Sequence, residues 1–141
     1  MDISAELLAE IVEHAREEAP NECCGLIAVA PGSPTRAVRV HRARNVAASP
    51  LSFKIGTKES YDLIQEIERA GGELGGIYHS HTKTNPEPSQ TDINFAALWP
   101  GVEWLIVGLA DPEAPRVRSY LIEGGVVSEV PIAVVQEISA P

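Results

Sequence analysis

The sequence predicts an α/β (or α+β) sandwich: a mixed sheet with helices against its faces. Three observations carry this expectation. The 141 residues are 44% hydrophobic and 22% charged, enough for one domain with a real core and no disulfide or metal staples. Two stretches repeat apolar residues at helical spacing. Between and after them lie short apolar runs of strand length, punctuated by Pro and Gly. Helices interspersed with short strands pack as layers on a sheet. No internal repeat, low-complexity tract or long Pro/Gly linker divides the chain, so the expected domain spans residues 1–141.

Residues 3–18 place Ile3, Leu7, Leu8, Ile11, Val12 and Ala15 on one helical face, with Glu and Arg opposite and Pro20 as a stop. Gly25-Leu26-Ile27-Ala28-Val29, closed by Pro31-Gly32, reads as a buried strand. Val38, Val40 and Val46 flank basic residues in a second strand, where Arg39 and His41 alternate with valine. A second helix is expected over 58–70, with Tyr61, Ile64 and Ile67 on one side. Gly71-Gly72 ends it, because glycine takes the left-handed cap conformation without steric cost. Residues 74–79 make the next strand, followed by a polar loop containing Pro86 and Pro88 and a short helix over 90–98. Residues 104–109 and 117–122 read as two more strands, with Asp111-Pro112 in the turn between them. The first is almost continuously apolar and is expected at the centre.

Charge and cysteine content narrow the function. Eleven Lys+Arg against 20 Asp+Glu give a formal charge of −9, so no basic stripe is available for nucleic acid or an anionic membrane. The two cysteines, Cys23 and Cys24, are adjacent. Neighbours in sequence close a disulfide only with strain, so they read as small core residues. The N-terminus carries acids where a secretory signal needs basic residues. No apolar stretch approaches the roughly 20 residues that span a bilayer. A soluble, reducing, cytoplasmic setting is the expectation.

The informative stretch is Tyr78-His79-Ser80-His81-Thr82-Lys83-Thr84-Asn85-Pro86-Glu87-Pro88-Ser89-Gln90-Thr91-Asp92. Side chains alternate along a strand, so His79 and His81 project from the same face and can converge on one metal ion. The intervening loop, stiffened by Pro86 and Pro88, is long enough to bring Asp92 back as a third, oxygen ligand. Two neutral nitrogens and a carboxylate suit zinc, and three protein ligands leave the open position of a catalytic site. Such a reaction also needs a carboxylate to carry the proton. Glu22, just before the first apolar strand, is the candidate.

Plainer explanations cover most other conspicuous residues. His14, in the polar part of the first helix, and His41, between valines, read as ordinary polar side chains. Ser89 and Asp92 also match a helix capping box, which is compatible with metal binding because a helix N-terminus favours a carboxylate. Gly71-Gly72 and Gly75-Gly76 lack the Lys-Ser/Thr of a phosphate loop. Trp99 and Trp104 read as core or rim residues, and Glu17-Glu18 and Glu66–Glu68 as solvated helix faces.

Glu22, then His79-Ser80-His81, seven residues, Ser89, two residues and Asp92 together resemble the JAMM (MPN+) metalloprotease motif. The likeness runs from the first helix to about Val135 and is closest to the short bacterial proteins called Mec+. It implies a three-layer sandwich of the JAB/MPN type, similar in architecture to cytidine deaminases. It further implies that His79, His81 and Asp92 hold one zinc per chain and that Glu22 is the acid/base. Ser89 would donate a hydrogen bond to the oxyanion. Ser80, pointing the other way, has no catalytic part. The implied reaction is hydrolysis of an amide bond at the C-terminal glycine of a ubiquitin-like protein, and for Mec+ relatives release of cysteine from a sulfur-carrier protein, a step in cysteine biosynthesis.

Between Asp92 and Pro141 there is no Cys or His and little length, so the ubiquitin-selecting, second-zinc insert of eukaryotic members is not expected. A broader isopeptidase acting on lysine-linked modifiers is the runner-up. A ligand-free MPN scaffold fits poorly, since every motif residue is present. A nucleobase deaminase needs His-x-Glu and Pro-Cys-x-x-Cys, and neither occurs. The alternating segment Ser52-Phe53-Lys54-Ile55 is the expected edge on which a slim Gly-Gly tail lies extended. That role requires Phe53 and Ile55 to be uncovered.

Overall fold

In a computed structural model of the chain, residues 1–136 are described; residues 137–141, the end of the expected domain, lie outside them. Three helices and eight strands follow the order β1 (Asp2–Ser4), α1 (Ala5–Glu18), β2 (Cys24–Ala30), β3 (Ser33–Ala43), α2 (Thr57–Arg69), β4 (Glu73–His81), α3 (Gln90–Ala96), β5 (Glu103–Gly108), β6 (Arg116–Glu123), β7 (Val126–Val130) and β8 (Ala133–Val135). They form one sheet in the order β7-β6-β5-β4-β2-β3-β1-β8. β4 and β5 run parallel, with His79 opposite Ile106 and His81 opposite Gly108. β2 is antiparallel to both β3 and β4.

The alternation of side chains divides the core into two layers. On one face, α1 covers Ile27, Tyr78, Leu105 and Val107 with Ile11 and Ala15. On the other, Ile67 of α2 and Ala96 of α3 join Leu26, Ile77, Trp104 and Ile106. Neighbouring residues therefore go to opposite layers. Cys23 faces α1 and Cys24 faces α2 and α3, both free thiols, as core packing requires. Burial pushes the Cys23 thiol up to about 12, so it is inert at neutral pH. Each fully buried aliphatic chain contributes about 1.5–3 kcal/mol to the layer it joins.

Several boundaries differ from the sequence reading. Ile3 lies in β1 rather than on the first helix, which begins only after Ser4, whose side chain accepts from the Leu7 amide. Ile3 and Leu7 are four apart, so a strand-to-helix junction imitates helical spacing. Val46 falls beyond β3, which ends at Ala43. β7 and β8 have no counterpart in the sequence reading, and many of their side chains are exposed. Gly71 does take a left-handed conformation (φ 84°) after α2, and the Gly72 amide donates to the Ile67 carbonyl.

Candidate metal centre

β4 ends in Tyr78-His79-Ser80-His81, and the pleat sorts these four side chains. Ser80 turns toward α1, where its Oγ accepts from the Cys23 amide at 2.8 Å. His79 and His81 turn to the opposite face, with their Nε2 atoms 3.2 Å apart. The chain then returns through a loop pinned at three points. His81 Nδ1 lies 3.0 Å from the Asn85 carbonyl, and the Tyr120 hydroxyl donates to the Pro86 carbonyl at 2.6 Å. At Gly108 any Cβ would stand 2.6 Å from Pro86 Cδ, so the loop seats only against glycine. α3 begins beyond it with a complete capping box: Ser89 Oγ accepts from the Asp92 amide, and Asp92 Oδ2 accepts from the Ser89 amide. The cap turns Asp92 inward, and its Oδ2 stands 3.1 Å from both His79 Nε2 and His81 Nε2.

Three lone-pair atoms from buried residues thus converge, all within 4.8 Å of one another. The Asn85 carbonyl accepts from His81 Nδ1–H and leaves the Nε2 lone pair free to coordinate, as the outer support of a metal-ligating histidine would. Burial opposes charge on Asp92, but its contacts with His79 and His81 and the hydrogen bond from the Ser89 amide outweigh it and hold the carboxyl well below its usual range. Burial lowers the pKa of His79. At His81 burial acts in the same sense, yet Asp92 and the Asn85 carbonyl push the pKa up. An anionic carboxylate facing two imidazole nitrogens is a site that fits a cation, and the N, N, O set suits zinc. Glu22 is only 4% exposed, and its Oε1 is buried without a hydrogen-bond partner. Burial raises its pKa to about 7, and His81 partly offsets that rise.

The sequence profile described as prokaryotic homologs of the JAB domain matches residues 4–123. The chain belongs to this family. It is similar to the CysO-cysteine peptidase of Mycobacterium tuberculosis, with 36% identity over 96% of this chain and 91% of that one. The desampylase of Haloferax volcanii is 38% identical over 75% of this chain and 78% of its own. A solution structure of a protein from Desulfitobacterium hafniense superposes with a TM-score of 0.88 at 30% identity, covering 97% of this chain and 94% of that one. The sheet and its flanking helices are thus the α/β fold of JAB domains.

Within this JAB domain the structure also corrects the sequence reading. Phe53 and Ile55 are 9% and 7% exposed, so residues 52–55 are no open edge for a peptide tail. Their apolar side chains turn into the core: the Phe53 ring stacks on His79 at 4.6 Å, with an interplanar angle of 23°. The segment is already paired, since Ile55 bridges Asn45 and the Val46 amide donates to the Lys54 carbonyl. His14 is buried rather than on a polar face, and its Nδ1 meets the Tyr78 hydroxyl at 2.7 Å. His41 is buried too, with Nε2 unpartnered; neither belongs to the converging group. Glu17, read as solvated, pairs at the surface with Arg42. No local pattern links Asn45 or Tyr120 to the site, and Phe53, expected on an open edge, instead packs against His79.

Proposed function

We propose that this JAB domain is a zinc-dependent metallopeptidase that cleaves the amide bond at the C-terminus of a ubiquitin-like sulfur-carrier protein and releases cysteine from a carrier–cysteine adduct. The observation that carries the reading is the convergence of His79 Nε2, His81 Nε2 and Asp92 Oδ2 beside a buried carboxylate with a free oxygen, Glu22 Oε1. The likeness to a protein named CysO-cysteine peptidase supports the substrate class. His79, His81 and Asp92 would hold one zinc, and the bound ion would supply Lewis-acid polarisation of the scissile carbonyl and a more acidic water.

The remaining chemistry belongs to this chain's own side chains. Glu22, with a pKa raised to about 7, is matched to proton exchange at neutral pH. Its unpartnered Oε1 takes the proton of the attacking water and passes it to the leaving amine. Ser89 Oγ already accepts from the Asp92 amide, which leaves its own O–H free to donate to the oxyanion as charge develops there. Phe53 and Trp104 crowd His79, exclude water behind the ligand and hold its ring.

Removal of ubiquitin-like modifiers from lysines is the second reading, supported by the likeness to a desampylase. We place the protein in the cytoplasm; no helix of the described residues is long and apolar enough to cross a membrane. Incubation of the zinc-loaded chain with a carrier protein extended by one C-terminal cysteine, followed by intact-mass analysis, tests the reading. Loss of one residue's mass, abolished by chelator, is expected. An intact adduct alongside cleavage of a lysine-linked conjugate would favour the second reading instead.

A further inference from the structure

Glu22 stands just before β2, and among the described residues the strand pairing of β2 starts only at Cys24. Both of its main-chain groups are taken by the loop after β3. The Glu22 amide donates to the Ser49 carbonyl at 2.9 Å, and the Glu22 carbonyl accepts from Asn45 Nδ2 at 3.0 Å. The same Nδ2 donates to the Ser52 carbonyl, also at 3.0 Å. Asn45 Oδ1 accepts from the Ala47 and Lys54 amides at 3.0 and 3.1 Å. Both donors and both lone pairs of this half-buried amide are therefore used.

The two halves of the side chain do different work. The bond from Ala47 to Oδ1 is an Asx turn, which aspartate makes equally well. The Nδ2 donors have no such substitute. One grips the residue whose carboxylate enters the site, and the other grips Ser52, next to the Phe53 ring that stacks on His79. One amide thus ties the main chain of the proton carrier to the segment that packs against a ligand.

We infer that Asn45 is a positioning residue for Glu22: through Nδ2 it sets the distance between the Glu22 carboxylate and the histidine pair. The inference rests on the proposed function and adds a residue to it. A misplacement of about 1 Å at a reacting group costs on the order of 100-fold in rate, so a loosened tether lowers kcat while the ligand set stays whole.

The test uses the full zinc-loaded chain and the carrier–cysteine adduct. Asn45→Asp keeps the turn-forming oxygen and loses the donors. It is expected to lower kcat on the order of 10- to 100-fold, leave KM and zinc content at wild-type values, and speed amide hydrogen exchange at Glu22 but not in β4 or β5. In a Glu22→Gln background Asn45→Asp is expected to change the residual rate no further, since coupled residues are not additive. Asn45→Ala, a second donor-free variant, replaces it if Asn45→Asp does not fold. Wild-type kcat in the donor-free variant, loss of zinc, or an equal loss in the Glu22→Gln background overturns the inference. If wild-type protein binds zinc yet leaves the adduct intact, the proposed function fails. Faster Glu22 exchange then still supports the tether, and unchanged exchange overturns it.

Discussion

Two buried polar centres sit at opposite ends of the parallel β4–β5 pair, and they are built to different rules. Where β5 begins, Glu103 Oε1 accepts from the Met1 ammonium at 2.9 Å and from Ser119 Oγ at 2.8 Å. The ammonium also donates to the Pro131 carbonyl at 2.7 Å, so this ion pair is closed on itself. Where β4 ends, His79 Nδ1 and Glu22 Oε1 are buried without partners, and three lone-pair atoms face one another. A buried polar atom left unpaired costs about 1–3 kcal/mol. The first centre avoids that cost and the second retains it, as sites that must bind and react do. The proposed reactive centre lies at the carboxyl ends of parallel strands, where open α/β sheets place their ligands.

This contrast can be broken by substitution at either end. Glu22→Ala is expected to lower turnover of the carrier–cysteine adduct by about 100- to 10,000-fold while zinc content stays unchanged, because Glu22 is the proposed proton carrier and lies outside the proposed ligand set; full activity in this variant would assign the proton transfer to another group. Ser89→Ala should lower kcat on the order of 100-fold. It also removes the α3 cap at about 1 kcal/mol, so thermal melting must be followed in parallel to separate the two losses.

At the closed centre the expectation reverses. Glu103→Gln in untagged protein should cost about 3 kcal/mol of stability, because it leaves the buried ammonium without its counter-charge, and kcat at permissive temperature should match wild type. Denaturant titration and steady-state rates check the two halves. The smallest effect sharpens the comparison through pH. The folded-state pKa of Glu22 is raised from 4.5 to about 7, so folding favours the protonated form, and stability falls as pH rises between those values. In metal-free protein Glu22→Gln should therefore raise stability at pH 8, by about 1–3 kcal/mol, and should make no difference at pH 4. A melting series in chelator reads both.

How much of this was legible in the sequence follows from how local each feature is. His79, His81 and Asp92 lie within one strand, one stiff loop and one helix cap, so alternation and the capping pattern point to their convergence before any fold is known. Glu22 is remote in sequence; its place before the first apolar strand makes it a candidate proton carrier, and the resemblance to a known motif supports joining it to them. The layered fold followed from hydrophobic periodicity, but β7 and β8 did not, because exposed edge strands carry little apolar signal. Residues 52–55 are covered rather than open, because alternation marks a covered segment as readily as an open edge. Asn45 and the Met1–Glu103 pair act across long sequence separations, where no local pattern announces them.

The end of β4 is expected to hold a metal ion, and the start of β5 is expected to hold none. Metal analysis of freshly purified protein that has never met a chelator tests it most directly. About one zinc per chain is expected, falling to background in Asp92→Ala and unchanged in Glu103→Gln. Wild-type protein without metal, or Asp92→Ala that still carries one zinc per chain, would contradict it.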